Sequence, residues 1–230
     1  MIHDHRDVQG GTARAAVFGI SDGLVSNVAL ILGVAAASDS ADAVLVAGVS
    51  GLLAGAASMA AGEYVSVKAQ AELVERELDI ERVSIAQRPR LETEELAAIY
   101  RSRGIESEQA EAMAEAVMAD PTVALEVHAR EELGVDPGSV GDPRGAAVSS
   151  FVAFAVGASL PLLPWFVAAG AAATVASVAI GLAAAAAVGF TLAVFTERSK
   201  ARTMGRQVGL AAAACLLTWL IGSALGATVV

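Results

Sequence analysis

The C-terminal part of the sequence contains two long stretches without a charged side chain. Residues 145–196 lack Asp, Glu, Lys and Arg over 52 positions, and residues 207–230 lack them over 24. About 20 apolar residues are enough for a helix to cross the hydrocarbon core of a bilayer, so one helix of the first length would overshoot it. The first stretch therefore predicts two membrane spans joined by a turn near residues 168–171. The second predicts one span over Gln207–Val230.

Two further apolar segments lie near the N-terminus. Ala15–Ala37 ends at the polar turn Ser38–Asp42, and Ala43–Val67 follows it. The composition agrees with a membrane protein, because 55% of the residues are hydrophobic and the mean hydropathy is +0.60. The polar start Met1–Gly11 does not resemble a cleavable signal peptide. We therefore predict an all-α membrane protein with five transmembrane helices.

An acidic segment, Lys68–Arg144, separates the second span from the third. It holds nine Lys and Arg against eighteen Asp and Glu, and so carries nearly all of the net charge of −10. The prediction is a helical insert between spans two and three, which divides the chain into domains at 1–67, 68–144 and 145–230. Such acidity suits cations and argues against nucleic acid as a partner.

Proline marks two of the breaks within this insert, at Arg88-Pro89-Arg90 and at Asp120-Pro121. Proline is favoured in the first turn of a helix and ends the one before it. The second span is expected to continue as a helix to the break at Arg88-Pro89-Arg90. Further helices are predicted over Glu92–Arg103, over Glu106–Met118, and from Asp120-Pro121 to about Gly134.

The distribution of basic residues predicts the orientation. All 15 Lys and Arg lie in the N-terminal segment through Arg14, in the insert, or in the loop Arg198–Arg206. With five spans these three segments share one side, and clustered Lys and Arg mark the cytoplasmic side. The N-terminus and the insert are expected in the cytoplasm and the C-terminus outside.

Three residues within the predicted spans are candidates for a cation route. Asp22 is a carboxylate about eight residues into the first span, where a charge is costly and often functional. The alternative is that Asp22 lies close enough to the membrane–water interface to be hydrated and has no functional role. Glu63 is the only charge in the second span, and Met59 lies one helical turn before it. A thioether suits a borderline transition metal, although a methionine in an apolar helix usually serves packing.

The insert contains carboxylates and one histidine at helical spacing. The pairs are Glu77 with Glu81, Glu92 with Glu95, and His128 with Glu132. Carboxylates with one imidazole suit Fe²⁺, Mn²⁺ or Zn²⁺, whereas oxygen ligands alone also suit Mg²⁺ or Ca²⁺. The alternative is a solvated acidic surface paired with arginines. Cys215 is the only cysteine, which excludes an intrachain disulfide and a cysteine metal cluster.

Three segments resemble the vacuolar iron transporter family of plant, fungal and bacterial membrane proteins. They are Ser21–Leu24 (SDGL), Gly55–Tyr64 (GAASMAAGEY) and Leu160–Trp165 (LPLLPW), and they occur in the family's order. The resemblance implies a five-span homodimer that exchanges Fe²⁺ or Mn²⁺ for protons. Metal would leave the cytoplasm for a vacuole in eukaryotes, or cross the plasma membrane in bacteria, which is the location expected here.

The resemblance also implies roles for single residues. The family's first-span aspartate falls on Asp22 and its second-span methionine on Met59. Its metal-binding glutamates fall on Glu81, Glu92, Glu95 and Glu132.

The sequence departs from the family at other positions. A second-span glutamate of the plant proteins becomes Gly51, and a metal-domain glutamate becomes Ser84. A methionine pair becomes His128-Ala129. The changes at Ser84 and His128-Ala129 alter the set of metal ligands. The change at Gly51 concerns the proton route of the plant proteins, and Glu63 is the candidate substitute for the missing carboxylate.

Together these features predict a transporter that exports Fe²⁺ or Mn²⁺ from the cytoplasm in exchange for protons, surrounded by lipid and without a resident cofactor. A membrane-anchored metal sensor or storage partner, which binds metal without flux, is the alternative. Transport of another cation is a third hypothesis. An enzyme is not predicted, because the insert has only one histidine and the sequence lacks HExxH, CxxC, P-loop and GxGxxG motifs.

Overall fold

The computed structural model describes residues 11–139 and 141–229, so most of the predicted polar segment Met1–Gly11 lies outside it. Over these residues the chain is helical and contains no strand, which confirms the all-α prediction. The α-helices are α1 Gly11–Ala37, α2 Ala41–Gln87, α3 Pro89–Ser102, α4 Ser107–Met118, α5 Pro121–Glu131, α6 Pro143–Ser159, α7 Gly170–Phe195 and α8 Lys200–Val229. Short 3₁₀ helices cover Pro137–Ser139 and Leu160–Phe166.

Five helical segments are long and apolar enough to cross a membrane, as predicted. They are Arg14–Ala37, Ala41–Gln87, Pro143–Phe166, Gly170–Phe195 and Lys200–Gly226. The second continues well beyond the apolar stretch, because nothing between Met59 and Gln87 breaks the helix. The third consists of α6 and the 3₁₀ helix after it.

The chain forms two compact units. The membrane unit comprises Met1–Val65 and Asp142–Val230, and the insert comprises Ser66–Gly141. Helix α2 begins in the first unit and ends in the second.

Helix α1 packs closely against α6 in the membrane unit. Gly23 of α1 lies against the main-chain carbonyl of Phe154, and Gly157 of α6 lies against that of Ile20. A Cβ atom at either glycine would collide with these backbone atoms. Small residues permit such close approach, which favours association of helices within lipid.

We expect Gly23→Ala to destabilise the membrane unit by about 1–3 kcal/mol, because its methyl group would force the α1 and α6 backbones apart. Gly62→Ala is the matched control, since a Cβ there has no neighbour within 4 Å. Thermal unfolding of the detergent-purified chain measures both. Equal unfolding temperatures for the two variants would show that the α1–α6 contact is looser than described.

The third span changes from α-helix to 3₁₀ helix at Leu160, next to Pro161 and ahead of Pro164. This break leaves carbonyl groups without their usual helical partners. Asn27 Nδ2 of α1 donates a hydrogen bond of 2.7 Å to the Ala158 carbonyl. Ser177 Oγ of α7 donates one of 2.7 Å to the Pro161 carbonyl. Side chains of neighbouring helices thus supply hydrogen bonds to the carbonyl groups that the break leaves free, as an apolar surrounding requires.

The insert has a small core of its own. Leu96, Ala97 and Tyr100 of α3 pack against Ala110 and Ala114 of α4. The carboxylates of Glu106 and Asp120 accept hydrogen bonds from the first amides of α4 and α5. These N-caps satisfy amides that lack intrahelical partners, which fixes where each helix begins.

Candidate metal centre and transport path

Four side chains of the insert converge on one point. Glu81 comes from α2, Glu92 from the first turn of α3, His128 from the last turn of α5, and Glu132 from the residue that caps α5. One potential ligand atom from each lies within 4.8 Å of the others. The sequence places these residues far apart, and the folding of α3 and α5 next to α2 brings them together.

The histidine is the most enclosed member of this group. His128 has no exposed surface, and its Nδ1 lies 2.5 Å from Glu132 Oε1 and 3.2 Å from Glu81 Oε1. Among the described residues, His128 Nε2 is a buried atom without a hydrogen-bond partner. Glu81 Oε1 is another, because Nδ1 makes its hydrogen bond to Glu132 and only an ion-pair contact to Glu81. The Nδ1 atom is therefore the imidazole nitrogen that faces the carboxylates.

This arrangement suits a divalent transition metal. Donor atoms around such an ion lie about 2.1 Å from it, and thus about 3–4 Å from one another. The spread of up to 4.8 Å is slightly wider and requires only a small contraction around an ion. Three carboxylates and one imidazole match the ligand preferences of Fe²⁺ and Mn²⁺.

The electrostatics of the centre also favour a cation. Burial raises the pKa of the Glu81 carboxyl above its ordinary value of 4.5. The negative charge of Glu132 raises this pKa as well, with further contributions from Glu92 and Glu95, while His128 lowers it. A bound cation would relieve the repulsion among these carboxylates.

The raised pKa of Glu81 leads to a prediction for metal binding. Protons compete with metal wherever the carboxyl is protonated, and here that range extends above pH 4.5. We expect the dissociation constant for Mn²⁺ to rise by up to about tenfold for each pH unit below the folded-state pKa. Without metal, the folded chain becomes less stable, not more, as the pH rises, because it holds the Glu81 proton more tightly than the unfolded chain does. The stability that protonated Glu81 contributes is fully present below pH 4.5 and is lost as the pH rises through the folded-state pKa.

Calorimetric titration and thermal unfolding of the full chain at several pH values measure the two effects. Glu81→Gln should flatten the pH dependence of the metal-free unfolding temperature. An unchanged pH profile in that variant would contradict this assignment. Glu126→Gln is the control, because Glu126 is exposed on α5 and pairs with Arg130.

The remaining two predicted metal ligands lie outside this group of four. Glu95 is exposed on α3. Its negative charge raises the pKa of Glu81, but its carboxylate does not belong to the group of converging ligand atoms. Glu77 is half-buried on α2, one helical turn before Glu81. Both add negative charge to the insert, and neither is brought within ligand distance of the others.

Asp22 lies on an exposed face of α1. Phe18 is 58% exposed one turn before it, and the Ser26 hydroxyl donates a 2.6 Å hydrogen bond to the Asp22 main-chain carbonyl one turn after it. No Lys, Arg or His within residues 11–139 and 141–229 forms an ion pair with this carboxylate. The span thus presents a carboxylate on the outer surface of the membrane unit.

Met59 and Glu63 lie on a different helix, one turn apart on α2. Met59 packs against a cluster of Ala56, Phe154 and Ala158, so it contributes to the contact between α2 and α6. Glu63 has a side chain that is only 15% exposed, and its Oε2 lies 4.0 Å from Arg14 Nη2 on α1. Within the described chain, no hydrogen bond or ion pair connects Asp22 to Met59 or Glu63.

Two polar residues of the membrane unit escaped the sequence prediction. Arg14 directly precedes the first predicted span, and the sequence by itself indicates only a flanking charge there. Asn27 is the only asparagine of the chain, is 2% exposed, and has an Oδ1 atom without a partner among the described residues. A Cβ atom at Gly51 would lie 3.2 Å from that oxygen. A lone amide within an apolar span was the available signal for Asn27.

Comparisons with known proteins agree with the resemblance seen in the sequence. A family described as the VIT family matches residues 13–223. A vacuolar iron transporter of Acanthamoeba castellanii is 39% identical over 69% of this chain and 58% of its own length. Vacuolar iron transporter 1 of Eucalyptus grandis is 32% identical over 86% of this chain and 81% of its own. Its namesake from Arabidopsis thaliana is 34% identical over 84% and 78%.

Proposed function

The chain belongs to the VIT family, a family of transporters rather than enzymes, and on this basis we propose that it carries Fe²⁺ or Mn²⁺ out of the cytoplasm in exchange for protons. The observation that carries the proposal is the convergence of Glu81, Glu92, His128 and Glu132. This group is a candidate metal centre in a chain whose helices are long and apolar enough to span a membrane, which is the combination that metal transport requires.

The insert collects the ion in this proposal. Glu81, Glu92, His128 and Glu132 bind it, and the charges of Glu77 and Glu95 raise the local cation concentration. Loss of a family glutamate at Ser84 and the presence of an imidazole change the donor set. The nitrogen donor also suits Zn²⁺ at this centre.

The membrane unit carries the ion onward, past Glu63, Met59 and Asp22. Glu63 and Asp22 are carboxylates that attract the cation, and Met59 supplies a soft thioether that favours transition metals over Mg²⁺ or Ca²⁺. A carboxylate binds either a proton or a metal ion, so the two species exchange at the same oxygen atoms. This competition is the physical basis of the proposed coupling to protons.

A second copy of the chain covers the exposed Asp22 face in this proposal. A carboxylate that faces lipid is costly, and charged residues within spans usually face a protein interior or water. Pairing two α1 faces would place both Asp22 residues away from lipid, between two protomers. A monomer mass from light scattering of the active protein in detergent would rule out this arrangement.

The proposed direction follows from the positive-inside rule, which places the insert and its metal centre in the cytoplasm. The membrane concerned would be the plasma membrane of a bacterium, or an internal membrane if the protein is eukaryotic. Protease accessibility of the insert in intact cells tests this orientation.

Proteoliposomes with an imposed pH gradient test the function as a whole. We expect uptake of Fe²⁺ and Mn²⁺ that depends on the gradient and is accompanied by proton movement in the opposite direction. Zn²⁺, Co²⁺ and Ca²⁺ should be measured alongside. Metal binding to the purified chain without any flux would instead indicate a membrane-anchored sensor or storage protein.

A further inference from the structure

The pair of Arg14 and Glu63 is the only ion pair found among the described residues of the membrane unit. The two side chains differ in exposure, since that of Glu63 is 15% exposed and that of Arg14 is 75% exposed. A largely buried carboxylate needs a counter-charge. Here the counter-charge is an accessible guanidinium whose nearest nitrogen lies 4.0 Å away.

Such a pair is easily exchanged. Exposed side chains contribute little to the strength of an ion pair, and the distance is long for a direct hydrogen bond. A divalent cation brings twice the charge of a guanidinium and is able to bind the carboxylate oxygen directly. It therefore competes with Arg14 for Glu63.

The position of the pair gives this competition a consequence. Arg14 precedes Asp22 by eight residues, or about 12 Å along α1. Glu63 lies one turn beyond Met59 on α2. The candidate path runs from Glu63 past Met59 to Asp22, so the Arg14–Glu63 pair lies at its entrance.

We propose that Arg14 controls entry to this path: it holds Glu63 in an ion pair that the incoming divalent cation must displace. Arg14 thereby sets the metal concentration at which transport begins. This role rests on the proposed function and adds to it a residue that binds no metal itself. The competing explanation is that Arg14 only anchors α1 at the membrane surface.

A double-mutant cycle in proteoliposomes tests the proposal with Mn²⁺ as the transported ion. Arg14→Gln should lower the KM for Mn²⁺ by about two- to fivefold, the effect of removing an exposed ion pair worth up to about 1 kcal/mol. In a Glu63→Gln background, Arg14→Gln should leave the KM unchanged. Arg14→Lys keeps the charge and should retain most of the wild-type KM. Arg202→Gln, which removes an exposed charge at the start of α8, is the control for general surface charge.

An unchanged or raised KM in Arg14→Gln would overturn the proposal. An equal shift with and without Glu63, or an equal shift in Arg202→Gln, would also overturn it and favour a surface anchor. If wild-type protein carries no metal, the proposed function fails first. In that case the same double-mutant cycle is measured as Mn²⁺ binding to the detergent-purified full chain that also carries Glu92→Gln and His128→Gln. These two substitutions disable the candidate site of the insert, so the binding that remains is that of the membrane unit. Tighter binding in Arg14→Gln only when Glu63 is present would still support the role of Arg14, and no change would refute it.

Discussion

Replacement of Asp22 by asparagine is expected to reduce Fe²⁺ and Mn²⁺ flux by at least about ten- to a hundredfold, the loss typical of a disrupted metal site. Asparagine has nearly the same shape, but it neither attracts a cation nor exchanges a proton. The structure adds a second expectation, because Asp22 has no cationic partner among the described residues. Removing an unpaired carboxylate from a span should leave the unfolding temperature unchanged or raise it.

This combination separates function from folding. Flux in proteoliposomes gives the first quantity, and thermal unfolding in detergent gives the second. Asp39→Asn is the matched control, since Asp39 is an exposed aspartate in the turn after α1 and should be replaceable without loss of flux. Wild-type flux in Asp22→Asn would exclude this carboxylate from the path, and lost flux together with a lower unfolding temperature would indicate a folding defect.

Removal of two of the proposed metal ligands from the insert is expected to have the second large effect. Glu92→Gln combined with His128→Gln should weaken metal binding at the centre by at least about a hundredfold, given about tenfold or more for each group lost. Glu92 also repels Glu81, since its charge raises the pKa of that carboxyl. The metal-free Glu92→Gln chain should therefore be more stable than wild type, and its stability should respond less to added metal.

Calorimetric titration of the full chain measures the binding, and unfolding with and without Mn²⁺ measures the stability. Glu126→Gln again supplies an exposed carboxylate on α5 as the control. An unchanged binding isotherm in the double variant would rule out this group of residues as a metal centre. A metal-free Glu92→Gln chain that is less stable than wild type would show that Glu92 is a structural partner instead.

The sequence was sufficient for the spans because length and charge alone decide whether a helix crosses a bilayer. Pro121 likewise marked the start of α5, since it stands at the first turn where its missing amide costs nothing. Pro89 marked only a break, and α3 begins at Pro89 itself rather than at the predicted Glu92. The 3₁₀ segment after Ser159 was harder to predict. Pro161 and Pro164 signalled a turn, whereas the partners of the freed carbonyls lie on α1 and α7, far away in sequence.

The candidate metal centre was predictable only in part. Spacing within one helix shows which side chains share a face, so Glu77 and Glu81 were equivalent candidates on α2. Which of them meets Glu92 and His128 depends on how α3 and α5 fold next to that helix, and helical periodicity contains no such information. The pairing of Arg14 with Glu63 was not predictable from the sequence for the same reason, since it joins two different helices.

The break in the third span constrains which substitutions the chain tolerates at Pro161, Asn27 and Ser177. Asn27 and Ser177 each donate to a carbonyl that a continuous α-helix would use internally. Replacing the two prolines would therefore not straighten the segment by itself, because an amide and a hydroxyl buried in α1 and α7 would lose their acceptors. The bend is specified jointly by three helices. Substitutions at Pro161, Asn27 and Ser177 are thus expected to be tolerated together more readily than one at a time.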